Sequence, residues 1–272
     1  MRRDIPSLDG IRAVAVSVVF LSHIGLGQIV PGGFGVTIFF FLSGFLITTL
    51  LLREYAHNGQ VAIGAFFGRR FLRLTPPLLV TLAAIYAGVL AGLLPGELNV
   101  ASALSQFLYF FNYFEYFAPP DLVKIPDGSE VLWSLSVEEH FYMGFVLLFA
   151  AISRYLSVRC QIAVLVAICV AALVWRSILV FGFDAGLDRI FKTTDTRLDS
   201  ILIGSVLAYL THFGHSRRLF GLSTRQLWLW VPGALAVLLF CFVWRNPEFR
   251  YTGRYTVQGL ALMPLFYFAV YR

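Results

Sequence analysis

The 272-residue chain is 58% hydrophobic and only 13% charged, with 27 phenylalanines and a formal net charge of +6. A soluble domain carries about 25% charged residues, so this chain lacks the polar groups to cover a globule in water, whereas lipid would replace that polar surface around a polytopic membrane protein. Its lysines and arginines fall in short clusters between apolar runs, the pattern that sets membrane topology, and no aromatic and basic groove points to nucleic acid.

Runs long enough to cross a bilayer occur in order near 13–30, 33–52, 77–94, 138–153, 161–181, 198–213, 227–244 and 255–270. Asp4, Asp9 and Arg12 spoil a signal-peptide n-region ahead of the first run, which is expected to be a span that also directs insertion. The piece "VAIGAFFGRRFLRLTPP" reads as an interfacial helix, with Phe66, Phe67 and Phe71 toward lipid and Pro76 and Pro77 in the first turn of the next span. A ninth stretch, 100–117 ("VASALSQFLYFFNYFEYF"), contains Gln106, Asn112 and Glu115. The fold class expected is therefore all-α: a polytopic transmembrane helical bundle of about eight spans, forming one domain over residues 1–272.

Loop charge sets the orientation. With Arg2 and Arg3 in the cytoplasm, the clusters at Arg53 to Arg73, Arg154 and Arg159, and Arg217 to Arg225 also fall inside, while the acidic loop 118–130 falls outside. This holds only if 100–117 does not cross, so it is expected to be re-entrant or interfacial, with its polar residues against protein. Both termini are then cytoplasmic. One connection runs against the scheme: "RNPEFRYTGR" is basic yet falls outside.

Several groups inside or beside the spans are candidates for chemistry. On a helix Arg12 and His23 lie about 20° apart and about 16 Å along the axis, on one face, with His23 deep in the run. Buried imidazole serves equally as packing glue between helices or as a general base, and Arg12 alone reads as a positive-inside anchor. Arg69, Arg70 and Arg73 can share a helix face, as a headgroup anchor or as part of a pocket. Ser136 and Glu139 have capping-box spacing, which places a helix start there and leaves Glu138, Trp133 and Ser134 to be explained. Asp195, Arg197 and Asp199 open the sixth span, where mutual ion pairing is the simple account. Ser43 reads as close helix packing, no Ser sits in a G-x-S-x-G elbow, and His57, His140, His212 and His215 are assigned no role. Cys160, Cys169 and Cys241 have neither CxxC nor His spacing, so no metal is expected.

"SLDGIRAVAVSVVFLSH", with arginine, ten residues, then histidine, resembles the opening of the acyltransferase-3 family of bacterial membrane O-acyltransferases. "GGFGVTIFFFLSGFLIT", "FFGRRFLRLTPP", "LWSLSVEEHFY" and "TDTRLDSILIGSVLAYL" agree in order, so the resemblance runs from residue 7 to about 210. The family motif usually has glutamine where this chain has His140. Two later spans and a "SYSLYLWH" stretch usual in the family have no counterpart here.

The resemblance implies a multi-pass enzyme of the bacterial inner membrane. It would move an acyl group, by default acetyl from cytoplasmic acetyl-CoA, to a hydroxyl of a carbohydrate or glycolipid acceptor. Arg12, Arg69, Arg70 and Arg73 would hold the CoA phosphates. His23 would be the general base, with Glu138 orienting it or binding the acceptor, and Trp133, Ser134, Asp195, Arg197 and Asp199 would meet the acceptor. Two other classes fit the same residues: a transporter or exporter using the basic mouth and His23, and an inactive member serving as scaffold.

Overall fold

The structure is a computed structural model describing residues 6–221 and 223–271. It contains thirteen α-helices. Eight are long: α1 (Pro6–Leu21, continued by a π turn, Ser22–Leu26), α2 (Gly32–Asn58), α3 (Ile63–Leu90), α6 (Trp133–Tyr155), α7 (Val158–Phe183), α9 (Thr194–His212), α11 (Thr224–Val243) and α13 (Arg254–Tyr271). Five are short: α4 (Val100–Phe107), α5 (Phe111–Phe117), α8 (Leu187–Lys192), α10 (His215–Phe220) and α12 (Pro247–Tyr251).

Six of the long helices are apolar enough to cross a membrane by length and composition, the exceptions being α9 and α13. Those two run through the protein interior, where α9 buries 14 of its 19 residues against α2, α7, α13 and α6. A helix wrapped by other helices needs no lipid-facing stripe and can carry Asp, Arg, Ser and Thr. This resolves the difference between eight apolar runs and six strongly apolar helices, and the molecule is a multi-pass helical bundle.

Cross-helix contacts fix the directions. Thr37 meets Arg197 and Gly44 meets Ser205, so α2 and α9 run parallel. The Arg176–Asp199 and Gln161–Tyr209 contacts make α7 antiparallel to them. Helices α2, α6, α9 and α13 all begin at what is called here the upper end, with α4, α5, α8 and α12 in the connections there. Helices α1, α3, α7 and α11 begin at the lower end.

Parallel α2 and α9 touch backbone to backbone. A Cβ on Gly44 would sit 1.9 Å from the Ile201 carbonyl oxygen, and one on Gly204 2.0 Å from that of Phe41. Only hydrogen fits, as in other close membrane helix pairs. Gly204→Ala is therefore expected to destabilise the bundle by roughly 1–3 kcal/mol or more, read as a lowered unfolding midpoint in detergent. A surface change such as Gly64→Ala, which meets nothing within 4 Å, is the control.

Three sequence expectations are corrected. The segment at 63–73 is not a separate interfacial helix: α3 runs unbroken to Leu90 with Pro76 and Pro77 in its interior. Both prolines are exposed, so the rings and the carbonyls they leave unpaired turn away from the packed face. The fourth span starts at Trp133, not at 138, preceded by a 3-10 turn, and Ser136 is buried inside the helix. The first span begins at about residue 6 and ends at 26, which shifts Arg12 inward and His23 outward relative to the apolar run at 13–30.

The stretch 100–117 behaves as expected. It folds as α4 and α5, eight and seven residues long and too short to cross. Tyr109, at φ 59°, turns the chain between them. Its polar groups face protein: Gln106 donates to Ser129 Oγ at 2.9 Å and accepts from Tyr86 at 3.1 Å, while Asn112 donates to Thr194 Oγ1 at 3.0 Å.

Candidate active site

Helix α1 lies on α2 along Leu8, Ala15, Val18 and Val19, where Gly35 admits Val19 and the Ala15 carbonyl. By helical period Arg12 and His23 lie at one edge of that stripe, beside Val19. The π turn begins only at Ser22, so it rotates position 23 by a small fraction of a turn relative to the α-helical period. Arg12, 42% exposed, pairs with Asp9 at 2.8 Å. His23 is exposed, and its Nδ1 lies 2.8 Å from the Val19 carbonyl oxygen. A carbonyl only accepts, so Nδ1 carries the hydrogen and the neutral ring presents Nε2 as its basic nitrogen. Ser22 lies against Gly32, the first residue of α2, which puts His23 level with the upper end. It is not deep inside the span, because the helix starts seven residues before the apolar run does.

The three arginines of α3 separate. Arg69 reaches Glu54 at 3.9 Å, and Arg73 is exposed and has no ion pair among the described residues. Arg70 turns inward, 2.7 Å from Glu139, 3.8 Å from Glu138, and stacked 3.4 Å over the Tyr142 ring. Tyr142 donates to Glu138 at 3.1 Å, with Ser43 beside both. Glu139 is thus the main partner of Arg70, not half of a capping box. The side chains form a polar nest within the membrane-spanning region, where paired carboxylates stabilise the arginine. Glu138 belongs to this nest, whereas His23 is held by Val19, and no hydrogen bond joins the two. Ser134 donates to the Val131 carbonyl at 3.0 Å, and Trp133 is buried against Phe40 and Phe191.

The triplet at the head of α9 also separates, and none of its members pairs with another. Asp195 accepts from Arg189, from Trp175 Nε1 at 2.6 Å and from Tyr113 at 3.0 Å. Asp199 takes a two-pronged bond from Arg176 at 2.6 and 2.7 Å, both side chains fully buried, and a third from Thr256. Arg197, fully buried, donates to Thr37 and lies 3.8 Å over the Tyr255 ring. Close by, His140 Nδ1 meets Thr194 Oγ1 at 2.8 Å, and Lys192 holds Glu115 at 2.5 Å, whose carboxyl burial pushes above the usual range against the lysine's pull.

Sequence reasoning missed Arg176, Arg189, Trp175 and Tyr113. A lone arginine in "VLVAICVAALVWRSILV" was the available signal, because a cation inside an apolar run requires a buried partner. Arg189 and Lys192 sit in a short connection whose fold the pattern does not predict.

An acyltransferase domain model matches residues 5–272, extending the likeness past residue 210. The chain is 30% identical over 267 residues to the peptidoglycan O-acetyltransferase OatA of Listeria monocytogenes, covering 93% of this chain and 42% of that protein. It is 32% identical over 222 residues to the O-acetyltransferase OatA of Staphylococcus aureus, covering 76% of this chain and 35% of that one. The chain thus spans about two fifths or less of the length of these curated relatives. No solved structure matches it. A multi-pass bundle opening on arginine, ten residues and histidine, matched from end to end by the acyltransferase model, belongs to the acyltransferase-3 family.

Proposed function

We propose that this protein is a membrane O-acetyltransferase that carries an acetyl group from acetyl-CoA at the lower end of the bundle to a hydroxyl of a cell-envelope carbohydrate at the upper end. The observation that carries the reading is the division of labour along α1: a cation near one end, and at the other an imidazole whose Nε2 is left free by the Val19 bond. Family membership and the O-acetyltransferase relatives support the reaction class, and the Listeria relative, a peptidoglycan O-acetyltransferase, makes peptidoglycan the first acceptor to try.

Charge supports the sides. Arg53, Arg154, Arg159, Arg217, Arg218 and Arg225 lie at the lower end, which is placed in the cytoplasm of a bacterium with the inner membrane around the bundle. Arg12, Arg69 and Arg73 are then available to the phosphates of the donor. Arg70 is assigned instead to the inner nest with Glu138, and Glu138 is not assigned to orienting His23. Trp133, Ser134 and Asp195 head the helices at the acceptor's end.

In the transfer, the acceptor oxygen attacks the thioester carbonyl as His23 Nε2 takes its proton. The carbon–sulfur bond breaks as the new carbon–oxygen bond is completed. The imidazolium returns the proton to the departing thiolate, so the ring ends neutral and atoms balance. With His23 at the upper end, the base is where an acceptor arriving from that side meets it, and the donor's thin arm must span the roughly 16 Å from Arg12. The test is acetyl-CoA binding to the purified protein in detergent. Arg12→Ala should raise the dissociation constant several-fold, as expected when one charge-assisted contact to phosphate is lost. Unchanged affinity reduces Arg12 to a topology anchor.

A further inference from the structure

The basic connection "RNPEFRYTGR", which ran against the charge rule, leads into a cluster of arginines to which the transfer steps above give no part. Its last arginine, Arg254, opens α13 and donates from Nη2 to the Tyr255 hydroxyl at 3.2 Å. Three guanidinium groups surround the Tyr255 ring: Arg197 at 3.8 Å, Arg254 at 5.1 Å and Arg176 at 5.8 Å from its centre. One carboxylate serves the three, Asp199, and Arg176 and Thr256 occupy it.

Arg197 and Arg254 therefore have no counterion within ion-pair distance among the described residues. Arg197 is wholly buried, with Nε and Nη1 lacking any acceptor, and the Nε of Arg254 is buried and unsatisfied as well. Arg197 lies over the Tyr255 ring, and Arg254 and Tyr255 belong to the first turn of α13, an 18-residue helix. Its first intrahelical bond is donated by Val257 to Gly253, so the N–H groups of Arg254, Tyr255 and Thr256 precede the ladder. A buried cation without partner is strongly disfavoured, and helix N-termini attract anions. The missing component is negative. Unsatisfied donors on two guanidinium groups beside one ring, next to a helix terminus, suit a group with several oxygens rather than a planar carboxylate.

We infer that the upper ends of α9 and α13 form an anion site in which Arg197, Arg254 and the first turn of α13 hold a phosphate-type oxyanion. It is supplied by a phospholipid headgroup or by a free phosphate group. Trp244 and Tyr251, in the same connection, are side chains expected at a membrane interface. The site is independent of the proposed acetyl transfer, and its test reads binding, not turnover.

Protein in neutral, phosphate-free detergent is followed through thermal unfolding with added inorganic phosphate, with phosphatidylglycerol in mixed micelles, and with chloride at matched ionic strength. A ligand that binds only the folded state raises the midpoint. The expected result is a rise with phosphate, or with phosphatidylglycerol alone if the lipid headgroup is the source. That rise should be lost in Arg197→Gln and in the half-exposed Arg254→Gln. Without anion, Arg197→Gln should unfold no earlier than the parent, because it removes an uncompensated charge. No rise with either probe, an equal rise with chloride, or a rise that survives in a folded variant overturns the site. If Arg197→Gln does not fold, Arg254→Gln decides it alone.

Discussion

Replacing His23 by alanine is expected to lower acetyl transfer by about 100- to 10,000-fold, the usual contribution of a positioned general base, with acetyl-CoA affinity and the unfolding midpoint nearly unchanged. Stability should hold because His23 is exposed and makes one hydrogen bond, to a carbonyl of its own helix. A packing histidine would show the reverse, a lower midpoint with proportionate loss of activity. Glutamine at the same place is a sharper version, since its amide can keep the bond to Val19 but offers no basic nitrogen. His23→Gln should therefore be as inactive as His23→Ala, and full transfer by either variant removes the base.

The second large effect concerns stability. Arg176→Ala should destabilise the bundle by about 3–5 kcal/mol, because it strands the Asp199 carboxylate in an interior with no other cation bonded to it. Asp199→Ala should cost a similar amount. The Arg176 guanidinium also donates to the carbonyls of Thr196 and Thr252, so its loss loosens α7 from both α9 and α12. Replacing both by apolar residues of similar volume, Arg176→Met with Asp199→Leu, should recover most of the loss, since neither member of the pair is then left without the other. The exposed Arg12–Asp9 pair is the contrast: breaking it should change the midpoint by no more than about 1 kcal/mol. If the Arg176 and Arg12 variants unfold alike, burial is not what gives the inner pair its weight.

Much of the architecture is legible in the sequence because eight apolar runs are long and separated by charge. The starts of the spans are not. Ser136 and Glu139 suggest a helix start, and only the structure shows α6 beginning at Trp133, with Arg70 reaching Glu139 from α3 and Tyr142 meeting Glu138 one turn on in α6 itself. Pro76 and Pro77 suggest a break, yet α3 continues through them because the affected turn faces outward. In the candidate site, the face shared by Arg12 and His23 follows from helical period alone. The separate partners of Asp195, Arg197 and Asp199 do not: Arg176, Thr37 and Tyr255 lie at sequence distances no local pattern spans, and Arg189, though near Asp195 in the chain, sits in a connection whose fold the pattern does not predict.

The central claim is that an acetyl group enters at the basic end of the bundle and leaves at the end that holds His23. It is tested most directly with the protein in sealed lipid vesicles of one orientation, labelled acetyl-CoA on the side of Arg53 and Arg217, and peptidoglycan fragments on the other. Label should pass to glycan hydroxyls across the bilayer, and should not pass when His23 is alanine. Label reaching acceptor only when both substrates share the basic side contradicts the account, as does transfer that is indifferent to His23.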